Sequence, residues 1–204
     1  MIAAPSAEAT RPDSHAPITD WLLQFRFEES SVRADGAEWA DHGKVSAFVA
    51  GVIFDREEMA ALGQQTTANG DAALIAAAYA RVGEKMIPRL WGSFVVAIID
   101  RSRRCAIVVR DPLGLHPLYH AEAGGTIRFA PSIDRLLRTP GVSRDLNRAA
   151  IADQLCRRLP ALDETHYAAV RRVPQGWLVR LESNRTTFER YWNAPDDFEW
   201  LSEA

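Results

Sequence analysis

Cysteine is scarce in this chain of 204 residues. Only Cys105 and Cys156 occur, and neither has metal-ligand spacing or the surrounding framework of a disulfide scaffold. Both are expected as packed thiols, Cys105 in a strand and Cys156 in a helix, in a reducing, cytoplasmic setting. Long apolar runs are missing too, and none approaches the ~20 residues that a membrane-spanning helix needs. There is no basic excess: 24 Lys and Arg stand against 27 Asp and Glu, so no nucleic acid or anionic membrane is expected as a partner. The opening MIAAPSAEATRPDSHAP lacks the basic leader and apolar block of a secretion signal. Of the five histidines (His15, His42, His116, His120 and His166), only His116 and His120 are four apart. A turn-plus-strand context does not put that pair on one helical face, so no metal site is expected.

What is present suffices for a real core, since a compact fold of this length buries roughly 70% of its unfolded surface. Residues 1–18 have no periodicity and read as a loose arm. The stretch 21–29 alternates from Leu23, with Leu23, Phe25 and Phe27 on one face, which predicts a half-buried strand. A second extended run covers 45–55, where Gly51 suggests a bulge or a close backbone approach. The alanine-rich segment 71–83 starts on an acid and stops at a glycine, as a helix should, with Ile75, Tyr79 and Val82 as its core stripe. A short helix is expected over 84–90, limited by Pro88.

The runs FVVAIID (94–100) and CAIVVRD (105–111) are apolar at odd and even positions alike, as in a sheet covered on both faces. The connector RSRR makes them an antiparallel hairpin. Further strands are expected at 117–121, 126–130, 176–182 and 186–192, and helices at 132–138 and 147–158. The order indicates an α+β layered fold with antiparallel sheets, not a parallel βαβ one.

Four segments in order, GDAALIAAAYARVGE, RLWGSFVVAIIDRSRRCAIVVRDPLGLHPLYH, GGTIRFAPS, and VRRVPQGWLVRL followed by RYW, resemble the N-terminal glutaminase-type domain of asparagine-synthetase-like enzymes. The resemblance implies an N-terminal-nucleophile (Ntn) hydrolase fold, a four-layer αββα sandwich with two antiparallel sheets. It also divides the chain into an arm (1–18), the domain (19–195) and the start of a linker (196–204). Within the domain, Arg110 and Asp111 close a central strand, and Pro112, Gly114 and Pro117 shape a rigid corner read as scaffold.

Working members of the family resemble one another in a cysteine directly after the initiator Met, which supplies thiolate and α-amine together. Here Met1, Ile2 and Ala3 stand first, Met1 is expected to be retained, and no catalytic residue is assigned. An arginine motif that clamps the glutamine carboxylate has no counterpart between Trp21 and Lys44. The family's oxyanion Asn-Gly pair corresponds to Ala50 and Gly51, and Ala cannot donate that bond; loss of one such donor costs ~100- to 1,000-fold in rate. Asp71 matches the carboxylate that the resemblance implies for the substrate amine. Ala50, Gly51 and Asp71 therefore read as a vestigial pocket.

No Ser-Gly-Gly-x-Asp-Ser type loop for ATP occurs, so ATP and Mg are expected in a synthetase domain or separate subunit outside this chain. The lost nucleophile most resembles lasso peptide cyclases and β-lactam synthetases, which close an amide without ammonia. That implies a silent domain supporting an ATP-dependent amide former, with a peptide substrate or a leader-processing protein as a further partner. Two alternatives stay open. One is an active glutaminase domain of an asparagine synthetase, or an Ntn hydrolase whose Ser6, Thr10 or Ser14 is exposed by processing. The other is a stand-alone interaction module.

Overall fold

In a computed structural model of the chain the described residues are 20–26, 31–67, 70–182 and 185–194. The expected arm (1–18), the linker (196–204) and Phe27 lie outside them. The chain forms β1 (Leu22–Arg26), β2 (Ser31–Asp35), β3 (Glu38–His42) and β4 (Val45–Ile53), then helices α1 (Arg56–Gly63) and α2 (Asp71–Val82). A 3-10 segment (Gly83–Arg89) leads into β5 (Gly92–Asp100) and β6 (Cys105–Arg110), followed by β7 (Tyr119–Ala123) and β8 (Thr126–Ala130). Helices α3 (Ile133–Leu137) and α4 (Arg148–Leu155) precede β9 (Val170–Arg172), β10 (Trp177–Glu182) and β11 (Arg185–Arg190).

All strand pairs are antiparallel, in a five-stranded sheet of order β2-β1-β8-β7-β9 and a six-stranded sheet of order β11-β10-β6-β5-β4-β3. The alternation of side chains sorts each strand between two cores. From β5, Phe94, Val96 and Ile98 pack under α1 and α2, while Val95, Ala97 and Ile99 face the other sheet. β6 divides the same way, Ile107 and Val109 to the helices and Ala106 and Val108 to the inter-sheet core. Trp21, Leu23, Phe25, Ile127 and Phe129 fill that core from the five-stranded sheet, whose outer face packs on Leu136 of α3. Helix, sheet, sheet and helix follow as four layers, the expected α+β arrangement.

A strand apolar on both faces does not select its own register, because a one-residue slip exchanges one buried face for another. The β5–β6 turn makes the selection. Asp100 Oδ1 accepts from the backbone N–H of Ser102 (2.8 Å) and of Arg103 (3.1 Å), and the hairpin closes with Asp100 opposite Cys105.

The structure corrects several expectations. Helix α1 was not anticipated, although Asp55, three residues before Glu58, caps it by accepting from the Glu58 N–H at 3.1 Å. Strands β2, β3 and β9 were not anticipated either; β3 is polar (EWADH) and lies at a sheet edge, so no burial pattern marks it. Helix α4 ends at Leu155 instead of 158, and Cys156 is an exposed C-cap residue, not a packed thiol. Cys105 is buried in β6. Of the two expectations for Gly51, a bulge or a close backbone approach, the second holds: its register with Phe94 is continuous, and a Cβ on it would lie 2.1 Å from Ser93 O.

Candidate functional site

The corner after β6 closes on itself. Arg110 is buried, and its guanidinium donates from Nε to His116 O (2.8 Å), from Nη1 to Val173 O (2.6 Å) and from Nη2 to Gly114 O (2.9 Å). Asp111 is fully buried and answers with both oxygens: Oδ1 accepts from the Leu113 and Leu115 N–H groups, Oδ2 from that of His116. Pro112 sits inside the turn that Gly114 N closes onto Asp111 O at 3.2 Å. Gly114 has φ +67°, and a Cβ there would stand 3.0 Å from Gln175 and 3.2 Å from the Arg110 guanidinium. Pro117 leads to Leu118, whose carbonyl accepts from Val173 N at 3.0 Å. The Tyr191 hydroxyl, one residue past β11, donates to Arg110 O at 2.8 Å and ties the chain there to the same corner. Burial lowers the Arg110 pKa and the adjacent Asp111 charge opposes that shift. These polar groups are turned inward onto backbone, the arrangement of a clamp between loops.

The residues matched to the pocket fall near the far end of β4, on different sides of the sheet. Ala50 is 3% exposed and belongs to the inter-sheet core with Trp21, Phe48 and Val95. The Trp21 and Phe48 rings meet edge-on at 5.5 Å. Gly51 adopts φ +107°, and a Cβ on it would lie 2.1 Å from Ser93 O, so only glycine fits. Asp71, the first residue of α2, is 7% exposed; its Oδ2 accepts from the Ile53 N–H at 3.1 Å and its Oδ1 is paired with Arg56. Arg56 also donates to Thr67 O at 2.8 Å.

Arg56 is the residue that sequence reasoning missed. It lies beyond the 21–44 stretch, in the first turn of α1, from which its guanidinium reaches Asp71. Nearby, Glu38 Oε1 accepts from Ala72 N at 3.2 Å, and burial raises its pKa above the usual carboxylate range. Phe54 and Trp91, 58% and 46% exposed, flank a cleft of about 540 Å³ that Arg56 and Thr67 also line.

His116 and His120 have separate surroundings. His116 is buried at the corner with no hydrogen-bond partner for Nε2 among the described residues. The His120 ring lies 6.0 Å from Phe129 and 5.1 Å from Phe188.

Among known proteins, the chain is 26% identical over 200 residues to "Asparagine synthetase [glutamine-hydrolyzing] 2" of Bacillus subtilis, a match over 91% of this chain and 26% of that protein. A Mycobacterium tuberculosis protein provisionally named a glutamine-hydrolysing asparagine synthetase is 28% identical over 120 residues, 57% of this chain and 18% of its own. The chain thus spans about a fifth to a quarter of the curated relatives it matches. A glutamine phosphoribosylpyrophosphate amidotransferase from B. subtilis has a similar structure, with a TM-score of 0.50 and 14% identity over 86% of this chain and 43% of that one. At that identity the likeness speaks for the fold, that of an Ntn-type glutamine amidotransferase. The glutamine amidotransferase domain model matches residues 41–192, most of the two-sheet sandwich described above, and the chain belongs to that family.

Proposed function

We propose that this chain is the glutaminase-type domain of an asparagine-synthetase-related, ATP-dependent amide-forming enzyme, and that its own glutaminase chemistry has been lost. One observation carries the reading: Asp71, the carboxylate matched to the substrate amine, already holds the Arg56 guanidinium and the Ile53 N–H. An incoming ammonium group would have to displace an ion pair whose carboxylate side chain is only 9% exposed. Ala50 adds to the loss, since a methyl group packed beside Trp21 cannot stabilise an oxyanion. In this reading the corner at Arg110 and Asp111 preserves the sandwich as a support, and Ala50, Gly51 and Asp71 are remnants of a pocket.

The finer reading is a ring-closing enzyme of the lasso peptide cyclase or β-lactam synthetase type, which forms a macrolactam or lactam amide without ammonia. A synthetase part, as a C-terminal domain or a separate subunit, would use ATP and Mg to activate the carboxylate; no loop for it occurs in this sequence. A peptide substrate or a leader-processing protein would be a further partner, and the cytoplasm the compartment.

The direct test is ammonia release from glutamine by the purified chain, beside an Asp71→Ala variant. The expected result is the rate of the buffer blank for both. Hydrolysis by the unaltered chain that vanishes in the variant would overturn the reading and restore a glutamine-hydrolysing asparagine synthetase domain.

A further inference from the structure

At the opposite end of β4 from Asp71, the β3–β4 turn, the β5–β6 turn and the C-terminal end of α2 enclose a cleft of about 520 Å³. The nine residues of β4 separate it from the Asp71 end by roughly 26 Å at ~3.3 Å per residue. Its volume lies within the range of small-molecule sites. Lys44, Arg81 and Arg103 line it, against one carboxylate, Asp100. The surplus is three cations minus one acid, or two positive charges. The C-terminal carbonyls of α2 oppose an anion by only about half a charge.

The acids nearby are already committed. Asp100 Oδ1 holds the two N–H groups of its own turn. Glu84 is gripped by Arg180 through two bonds of 2.8 and 2.7 Å, which lower its pKa. Arg103 stands 3.6 Å from Glu84 and 3.7 Å from Asp100, longer than a charge-assisted hydrogen bond, and its side chain is 59% exposed. Lys44 has no ion pair among the described residues. The two turns are held together by Arg101 N, which donates to Lys44 O at 3.0 Å, so the backbones that carry Lys44 and Arg103 lie side by side.

Tyr79 provides a second, independent pointer. It lines the cleft and is 2% exposed, yet its hydroxyl has no hydrogen-bond partner among the described residues. A buried hydroxyl without a partner bears its desolvation cost, which an acceptor in the cleft would recover. Burial pushes its pKa up to about 12; Cys105, Asp100 and Glu84 push the same way and Arg103 opposes them. It is therefore a donor at neutral pH that lacks an acceptor.

We propose that this cleft binds a multivalent oxyanion, a small phosphorylated or polycarboxylated metabolite, held by Lys44 and Arg103 from the two turns with the Tyr79 hydroxyl donating to it. The site is separate from the Asp71 end and does not depend on whether glutamine is hydrolysed there. Calorimetric titration of the 204-residue chain with pyrophosphate and with citrate tests it, at low and at high salt.

Saturable binding of at least one probe is expected, weakened by salt. A Lys44→Gln, Arg103→Gln double variant is expected to bind about 10-fold or more weakly, and Tyr79→Phe about 5-fold more weakly. Arg190→Gln, on β11, is expected to bind as the unaltered chain does. The tighter probe assigns the phosphate or the carboxylate source. Lys44 and Arg103 are exposed, so unchanged thermal unfolding of the double variant is expected and separates lost binding from lost fold. Absence of saturation by both probes, or binding that the double variant leaves intact, would overturn the proposal.

Discussion

Arg56 and Asp71 form an ion pair that joins the first turn of α1 to the first residue of α2 and, through Ile53 N, to the end of β4. The pair is uneven: the arginine side chain is 37% exposed and the carboxylate 9%. Its rupture therefore leaves the cost on the buried partner. Arg56→Ala is expected to lower stability by about 1–2 kcal/mol, more than a surface pair and less than a fully buried one. Urea unfolding measures this, and an unchanged midpoint would mean that Asp71 is satisfied without Arg56.

Arg110→Lys removes the fork that reaches three carbonyls, those of His116, Val173 and Gly114. An ammonium on a flexible stem cannot span all three, so a loss of about 2–4 kcal/mol is expected despite the retained charge. Thermal unfolding would show it, and a near-neutral result would remove the corner from the list of structural supports.

Gly51→Ala places a methyl group 2.1 Å from Ser93 O at a backbone φ of +107°. Both strain and overlap act, and about 3 kcal/mol of destabilisation is expected. Ala50→Gly, one residue earlier, removes a methyl without a clash and is expected to cost about 1 kcal/mol. The ratio between the two in chemical unfolding is the readout; equal effects would contradict the close approach of β4 and β5 at this position.

His120 should make stability depend on pH. Burial lowers its pKa to about 4, and Arg171 lowers it further while Asp163 opposes. Between about pH 4 and its ordinary value of 6.5 the unfolded chain binds the proton and the folded chain does not. Stability contributed by neutral His120 is thus complete above 6.5 and is lost as pH falls through that window, with a slope of at most about 1.4 kcal/mol per pH unit. His116 shifts in the same direction, again first through burial. His120→Phe is expected to flatten the slope in unfolding measured from pH 4 to 7, and an unchanged slope would assign it to other groups.

Much of the fold was legible in the sequence because burial leaves a mark on it. The paired runs of β5 and β6 showed apolar residues on both faces, and a two-faced strand requires a layer on each side. Helix α2 was legible from its alanines and its acid-to-glycine limits, yet it is buried nearly all round, so the stripe of Ile75, Tyr79 and Val82 understated its contacts. The polar edge strand β3 and the short α1 left no such mark, since neither presents a long apolar pattern.

By itself, then, the sequence determined that the strands of 94–111 are covered on both faces, that they form a hairpin, and that the chain turns at Pro112 to Gly114, each written in local patterns of apolar residues, prolines and glycines. Tertiary structure decided what Arg110, Asp71 and Tyr79 do. The Arg110 guanidinium meets Val173, 63 residues away in the chain, Asp71 meets Arg56 only because α1 folds beside α2, and the Tyr79 hydroxyl meets no protein partner among the described residues. Local sequence records which side chains prefer to be buried, but the partner of a buried charge or hydroxyl is chosen by whichever distant backbone the packing of layers brings within ~3 Å.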